Sequence, residues 1–93
     1  MTEKTLKQTV TILNQRGLHA RAAAKLVQRA GAFHAEIEIA RGDTSVSATS
    51  IMGLMMLAAG QDTVIEIRAR GVDAKEAVAA LVRLISDRFE EDE

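Results

Sequence analysis

The chain has 93 residues, 47% of them apolar, a net charge of −1, and no cysteine, tryptophan, tyrosine or proline. That length supports one domain around a single core, and the apolar fraction is that of a globular chain, not a disordered one. The absence of cysteine excludes a disulfide framework and any thiolate zinc site.

Residues 1–10, MTEKTLKQTV, contain no apolar stretch of signal-peptide length. KQTVTI at 7–12 alternates polar and apolar side chains through Val10 and Ile12, which predicts a strand with one buried face. Asn14 to Gly17 break the pattern. From Ala20, ARAAAKLVQRA puts Ala23, Leu26, Val27 and Ala30 on one helical face and Arg21, Lys25, Gln28 and Arg29 on the other, with Gly31 as the stop. FHAEIEI at 33–39 alternates again, with Phe33, Ala35, Ile37 and Ile39 on one side and His34, Glu36 and Glu38 on the other. Arg41-Gly42-Asp43 reads as a plain turn, not an adhesion motif, and TSVSA returns as a shorter strand, so 33–48 form a hairpin.

Ser50 is placed to cap a helix through IMGLMML that stops by Gly60. The nearly unbroken apolar run at 51–59 is less than half of the roughly 20 residues a spanning helix needs. The expectation is a cytoplasmic protein with no membrane partner. TVIEIRA at 63–69 is a fourth strand, and Asp73 with Glu76 resembles a capping box opening a last helix with Val78, Leu81, Leu84, Ile85 and Phe89 on its apolar face. Four of the 13 acidic residues are the final four, Glu90 to Glu93, which leaves 9 acids against 12 basic residues before them. Residues 1–89 are read as one domain and 90–93 as a solvated acidic tail.

Strands with one apolar face each indicate an antiparallel sheet covered on one side, since a parallel sheet covered on both sides would have continuously apolar strands. The predicted fold is α+β, a two-layer open-faced β-sandwich in the order βαββαβα, with a four-stranded antiparallel sheet and three helices on one face.

His19 falls at the N-cap of the first helix. There the first-turn N–H groups lack intrahelical partners and the macrodipole supplies about half a positive charge, so the position attracts anions. The same field disfavours an imidazolium, and a neutral imidazole can attack a phosphoryl donor. Arg21 adds a cation able to reach the transferred group. On spacing alone, a lone histidine at a helix start is more often surface decoration than a catalytic group. His34, on a polar strand face beside glutamates, is explained by solvent exposure, and the two histidines form no metal set.

Ser50 is sufficiently explained as a cap. Behind it, Ile51, Met52, Leu54, Met55, Met56 and Leu57 surround most of a short helix that an open sheet cannot bury on every side. Leu54 and Leu57 are expected inward and Ile51, Met52 and Met55 at least partly exposed beside the His19 helix end, as a docking patch. The alternative is that another helix covers them. A phosphate on Ser50 would add about two negative charges at the patch edge and weaken docking of an acidic partner.

GLHARAAAKLV and ATSIMGLMML, about thirty residues apart and in this element order, resemble the HPr family, the phosphocarriers of the phosphoenolpyruvate-dependent phosphotransferase system. The resemblance spans nearly the whole chain. It implies that His19 is phosphorylated by enzyme I through Nδ1, that Arg21 supports the phosphoryl group, and that an enzyme IIA receives it. It also implies that Ser50 is a regulatory serine, the target of HPr kinase/phosphorylase in bacteria that have it. The docking surface would comprise Arg21, Ala24, Lys25 and Gln28 of the first helix with Ile51, Met52 and Met55 of the second. The protein would be a relay intermediate with no cofactor, not a turnover enzyme.

Two positions depart from the family pattern. Ala22 stands where proline is usual, which keeps the helix and adds a free N–H. Thr49 stands where lysine is common, which removes a charge beside Ser50. Ala22, TSIMGLMMLAA and the acidic ending look more like the nitrogen-related branch than the sugar-transport branch, so the acceptor would be an enzyme IIA of the nitrogen type. Two other classes compete: an adaptor signalling through Ser50 without relay, and a small RNA-binding module. The second lacks sheet aromatics, a Gly-x-x-Gly clamp and a basic stripe, so no nucleic-acid partner is expected.

Overall fold

The computed structural model describes residues 4–91. Its elements follow the predicted order: β1 (Leu6–Thr11), α1 (Ala20–Ala30), β2 (Glu36–Arg41), β3 (Thr44–Ser47), α2 (Ile51–Met56), β4 (Val64–Arg70) and α3 (Ala74–Ser86). The strands form one antiparallel sheet in the order β1-β4-β2-β3. Val10 pairs with Ile65, and Ile39 lies between Ile67 and Val46. Because side chains alternate along a strand, this register gathers Ile37, Ile39, Ile65, Ile67 and Ala69 on one buried face. The opposite face stays open and carries cross-strand and local ion pairs, Arg70 with Glu36 and Arg68 with Glu66. The chain is thus the α+β open-faced sandwich that the alternation predicts.

The helices complete the core from one side. α1 contributes Ala22, Ala23, Leu26 and Ala30, α2 contributes Leu54, and α3 contributes Ala77, Leu81, Leu84 and Ile85. Alanines along α1 let it pack closely against both α2 and α3. None of the helices among the described residues is long and apolar enough to cross a membrane.

Four local expectations are corrected. β2 begins at Glu36, not Phe33, because the chain after α1 keeps turning through Ala32 N–H to Arg29 O and Phe33 N–H to Ala30 O bonds. Asp73 forms no capping box, since its carboxylate instead accepts the His34 backbone N–H at 2.7 Å and ties the start of α3 to the approach to β2. α2 ends before Gly60, where Ala58 takes a left-handed φ of +52° and Arg41 donates to the Leu57 and Ala58 carbonyls at 2.9 Å each. These bonds satisfy carbonyls that a helix end leaves without partners.

The fourth correction bears on function. α3 stops at Ser86, and Arg88, Phe89 and Glu90 form a left-handed turn with φ of +54°, +54° and +64°. Phe89 is fully buried in this turn instead of riding on the helix face. The turn reverses the chain toward the start of α1.

Candidate functional site

The loop before α1 is built by Asn14 and Gly17. Asn14 is fully buried, its carbonyl accepts the Gly17 N–H at 3.2 Å, and its Nδ2 donates to the Gly17 carbonyl at 2.8 Å. Gly17 has a φ of +65°, and the Leu18 N–H then bonds the Ala59 carbonyl at 2.9 Å. The loop is thereby held against the end of α2, with Leu18 buried and His19 next in line.

His19 is the N-cap of α1, in extended backbone with φ −75° and ψ 177°. Its side chain makes no capping bond, and the first intrahelical bond runs from Ala23 N–H to the His19 carbonyl at 2.8 Å. The N–H groups of Ala20, Arg21 and Ala22 therefore lack intrahelical partners and point toward the His19 end. No acidic residue occupies the first turn of α1. His19 thus stands at the helix start where the sequence places it.

Glu91 is the member of the site that the sequence reading does not contain. Its Oε2 lies 2.7 Å from His19 Nε2, and its Oε1 accepts from Asn14 Nδ2 at 3.2 Å. The His19 and Glu91 side chains are only 15% and 11% exposed. Burial pushes the Glu91 carboxyl up, but the bonds from His19 and Asn14 and the charges of His19 and Lys25 outweigh it and hold the group below the usual glutamate range. Glu91 is therefore a carboxylate at neutral pH, and a carboxylate can only accept. Nε2 must therefore carry a proton, and the bond to Glu91 is made by that ring nitrogen and not by Nδ1.

The expected solvated tail does not describe Glu91. Lys25 Nζ donates to the Phe89 carbonyl at 2.6 Å, Arg29 pairs with Glu90 at 3.4 Å, and the buried Phe89 ring anchors the turn between them. Asp92 and Glu93 lie outside the described residues. One signal pointed here: Phe89 is one of two aromatic residues in the chain and sits directly before the acidic run. An aromatic at that place marks an anchored segment.

Arg21 and Gln28 are exposed on α1, and Ala24 is half-buried between them. Lys25 is half-buried, its ammonium engaged by Phe89. On α2, Ile51, Met52 and Met55 are 41%, 74% and 45% exposed, and Met56 joins them at 77%, while Leu54 and Leu57 are buried. No helix among the described residues covers the patch. Ser50 caps α2 through its Oγ, which accepts the Gly53 N–H at 3.0 Å. Since α1 packs on α2, the His19 helix, the apolar patch and Ser50 belong to neighbouring elements.

A family model described as "PTS HPr component phosphorylation site" matches residues 6–87. The chain is 49% identical to the phosphocarrier protein HPr of Neisseria meningitidis over 88 residues, covering 95% of this chain and 99% of that protein. It is 44% identical to the phosphocarrier protein NPr of Shewanella violacea over 86 residues, 92% of this chain and 94% of that one. Among solved structures, HPr of Thermoanaerobacter tengcongensis superposes with a TM-score of 0.90 at 42% identity, over 95% of this chain and 99% of that one.

Proposed function

The chain belongs to the HPr family of phosphotransferase-system phosphocarriers, and from that premise we propose that it accepts a phosphoryl group on His19 from phospho-enzyme I and passes it to an enzyme IIA in the cytoplasm. The observation that carries this reading is the state of His19 itself. Its Nε2 is engaged by Glu91, and it stands at a helix end whose first N–H groups have no intrahelical partners.

The Nδ1 lone pair forms the new bond to phosphorus while the donor's bond to phosphorus breaks and its electron pair stays with the donor. The dianion then lies against the α1 terminus, with Arg21 as the nearby exposed cation. Onward transfer repeats the exchange with the acceptor as nucleophile. The patch of Ile51, Met52 and Met55, with Arg21, Ala24, Lys25 and Gln28, is the docking surface in this reading, and its exposure on α2 supports it. A positive rim and an apolar centre suit a partner with acidic and apolar groups.

Ser50 serves as a regulatory phosphorylation site for an HPr kinase/phosphorylase in the same reading. Its oxygen is half-buried and already serves the α2 N–H of Gly53, so a phosphate would replace a cap and set negative charge against the patch. The nitrogen-type enzyme IIA is the proposed acceptor, supported by Ala22 and by the relative named NPr.

Labelled phosphoenolpyruvate with enzyme I, offered to the wild type and to His19→Ala, tests the carrier role. An acid-labile, base-stable phosphate on the wild type alone is expected. A wild type that takes no label from an active enzyme I overturns the reading. Presenting the labelled protein to nitrogen-type and sugar-type enzymes IIA then identifies the acceptor.

A further inference from the structure

Three consecutive non-glycine residues in left-handed backbone are unusual. Each costs about 1–2 kcal/mol against ordinary conformations. Such strain persists only where the surroundings over-determine it, and it concentrates at functional sites. Here the surroundings are specific: Phe89 is fully buried, its carbonyl is held by Lys25 at 2.6 Å, and Glu90 reaches Arg29. Burying Phe89 needs the reversal of the chain, but it does not need an acid two positions further on. The result of the turn is a carboxylate delivered 72 residues along the chain to His19, with its second oxygen fixed by the buried Asn14 amide.

Resting on the carrier reading above, we propose that Glu91 is a positioning residue for the His19 reaction: its carboxylate accepts the Nε2–H, leaves Nδ1 as the attacking nitrogen, and compensates the positive charge the ring acquires when Nδ1 bonds phosphorus. The electron balance is simple. The Nδ1 lone pair becomes the N–P bond, the ring gains one positive charge, the proton stays on Nε2, and the departing donor keeps the pair from its own bond to phosphorus. Glu91 neither touches the phosphoryl group nor takes the proton. It holds the ring in the reactive tautomer, as hydrogen-bonded carboxylates do for histidines in other sites.

Asn14 supports this geometry. Its Nδ2 bridges Gly17 O and Glu91 Oε1, both acceptors, so the amide can sit only one way round. That leaves Asn14 Oδ1 buried with no hydrogen-bond donor among the described residues. An unpaired buried acceptor is unfavourable, and here it accompanies an amide whose donor end is committed to the site. The positive charge of Lys25 also favours the ionised carboxylate.

The experiment uses the full-length wild type, Glu91→Gln, which keeps an acceptor without charge, and Glu91→Ala. Long-range 1H–15N spectra report the tautomer of His19, and labelled phosphoenolpyruvate with enzyme I reports the rate of phosphorylation. The expected result is a single Nε2–H tautomer in the wild type, mixed tautomers in Glu91→Ala, and a rate lowered about 10-fold in both variants with the KM for enzyme I unchanged. Equal or faster phosphorylation of the variants, or a wild-type ring without the Nε2–H preference, overturns the proposal. If the wild type is phosphorylated and the variants match it, only the role of Glu91 falls. If the wild type takes no label, the carrier reading falls first.

Discussion

Gly17 lies so close to Ala59 that a β-carbon on it would sit 2.5 Å from the Ala59 carbonyl oxygen and 2.7 Å from the Gly60 Cα. Both neighbours are backbone, so neither can rotate away. Gly17 also holds a φ of +65°, which side chains disfavour. Gly17→Ala is therefore expected to destabilise the fold by about 2–3 kcal/mol, read as a lower denaturation midpoint. Because the Leu18 N–H to Ala59 O bond lies in the same contact, the variant should also show displaced His19 resonances. Unchanged stability would mean that the loop relaxes freely away from α2.

Ser50→Ala removes the acceptor for the Gly53 N–H. The expected loss is about 1 kcal/mol of stability in urea denaturation, the usual worth of a helix cap. Phosphorylation at His19 should survive, since Ser50 belongs to α2 and the reacting nitrogen to the start of α1. A loss of phosphorylation much larger than the loss of folded protein would give Ser50 a part in the transfer itself.

Met52 is 74% exposed on α2, so Met52→Glu should alter stability by less than about 0.5 kcal/mol. Placed in the docking patch, the new charge should weaken binding to enzyme I about 10-fold, or ~1.4 kcal/mol. Titration calorimetry against enzyme I and thermal melting of the variant separate these two effects. Unchanged affinity would remove Met52 from the docking surface.

The Glu91 carboxyl is held below its ordinary value of 4.5 by His19, Asn14 and Lys25 despite burial. A depressed folded value means that the ionised form favours the folded state. The contribution is fully present above the unfolded value, and it is lost as pH falls through the lower folded value. Wild type should thus lose stability over that acid interval by an amount Glu91→Gln does not, and the two acid-limb curves should converge at the lowest pH. The difference should stay small, because burial opposes the bonds and charges that favour the ionised form. Parallel curves across the whole acid range would show that Glu91 is not docked in solution.

Much of the molecule was legible because its signals are local. Alternation through Ile37 and Ile39, and through Ile65 and Ile67, fixes which face each strand buries, since side chains of a strand must point in turn to opposite sides. Ala20 after a glycine-containing turn marks the start of α1 and so puts His19 at its cap. The exposure of Ile51, Met52 and Met55 follows from a short helix too apolar to be buried all round. Asp73 was less readable: its spacing to Glu76 matched a capping box, but the His34 N–H, 39 residues away, competes for the same carboxylate.

The sequence by itself determined the element order, the buried face of each element and the place of His19, because propensity and periodicity act over one or two turns of chain. Only the tertiary structure decided the strand order β1-β4-β2-β3 and the company His19 keeps. The left-handed turn at Arg88–Glu90 runs against local preference and holds because Phe89 finds a buried place among distant residues. No periodicity records a contact across 72 residues. Glu91 reaches Nε2 of His19 because the packed core fixes where α1 begins and where α3 lets go of the chain.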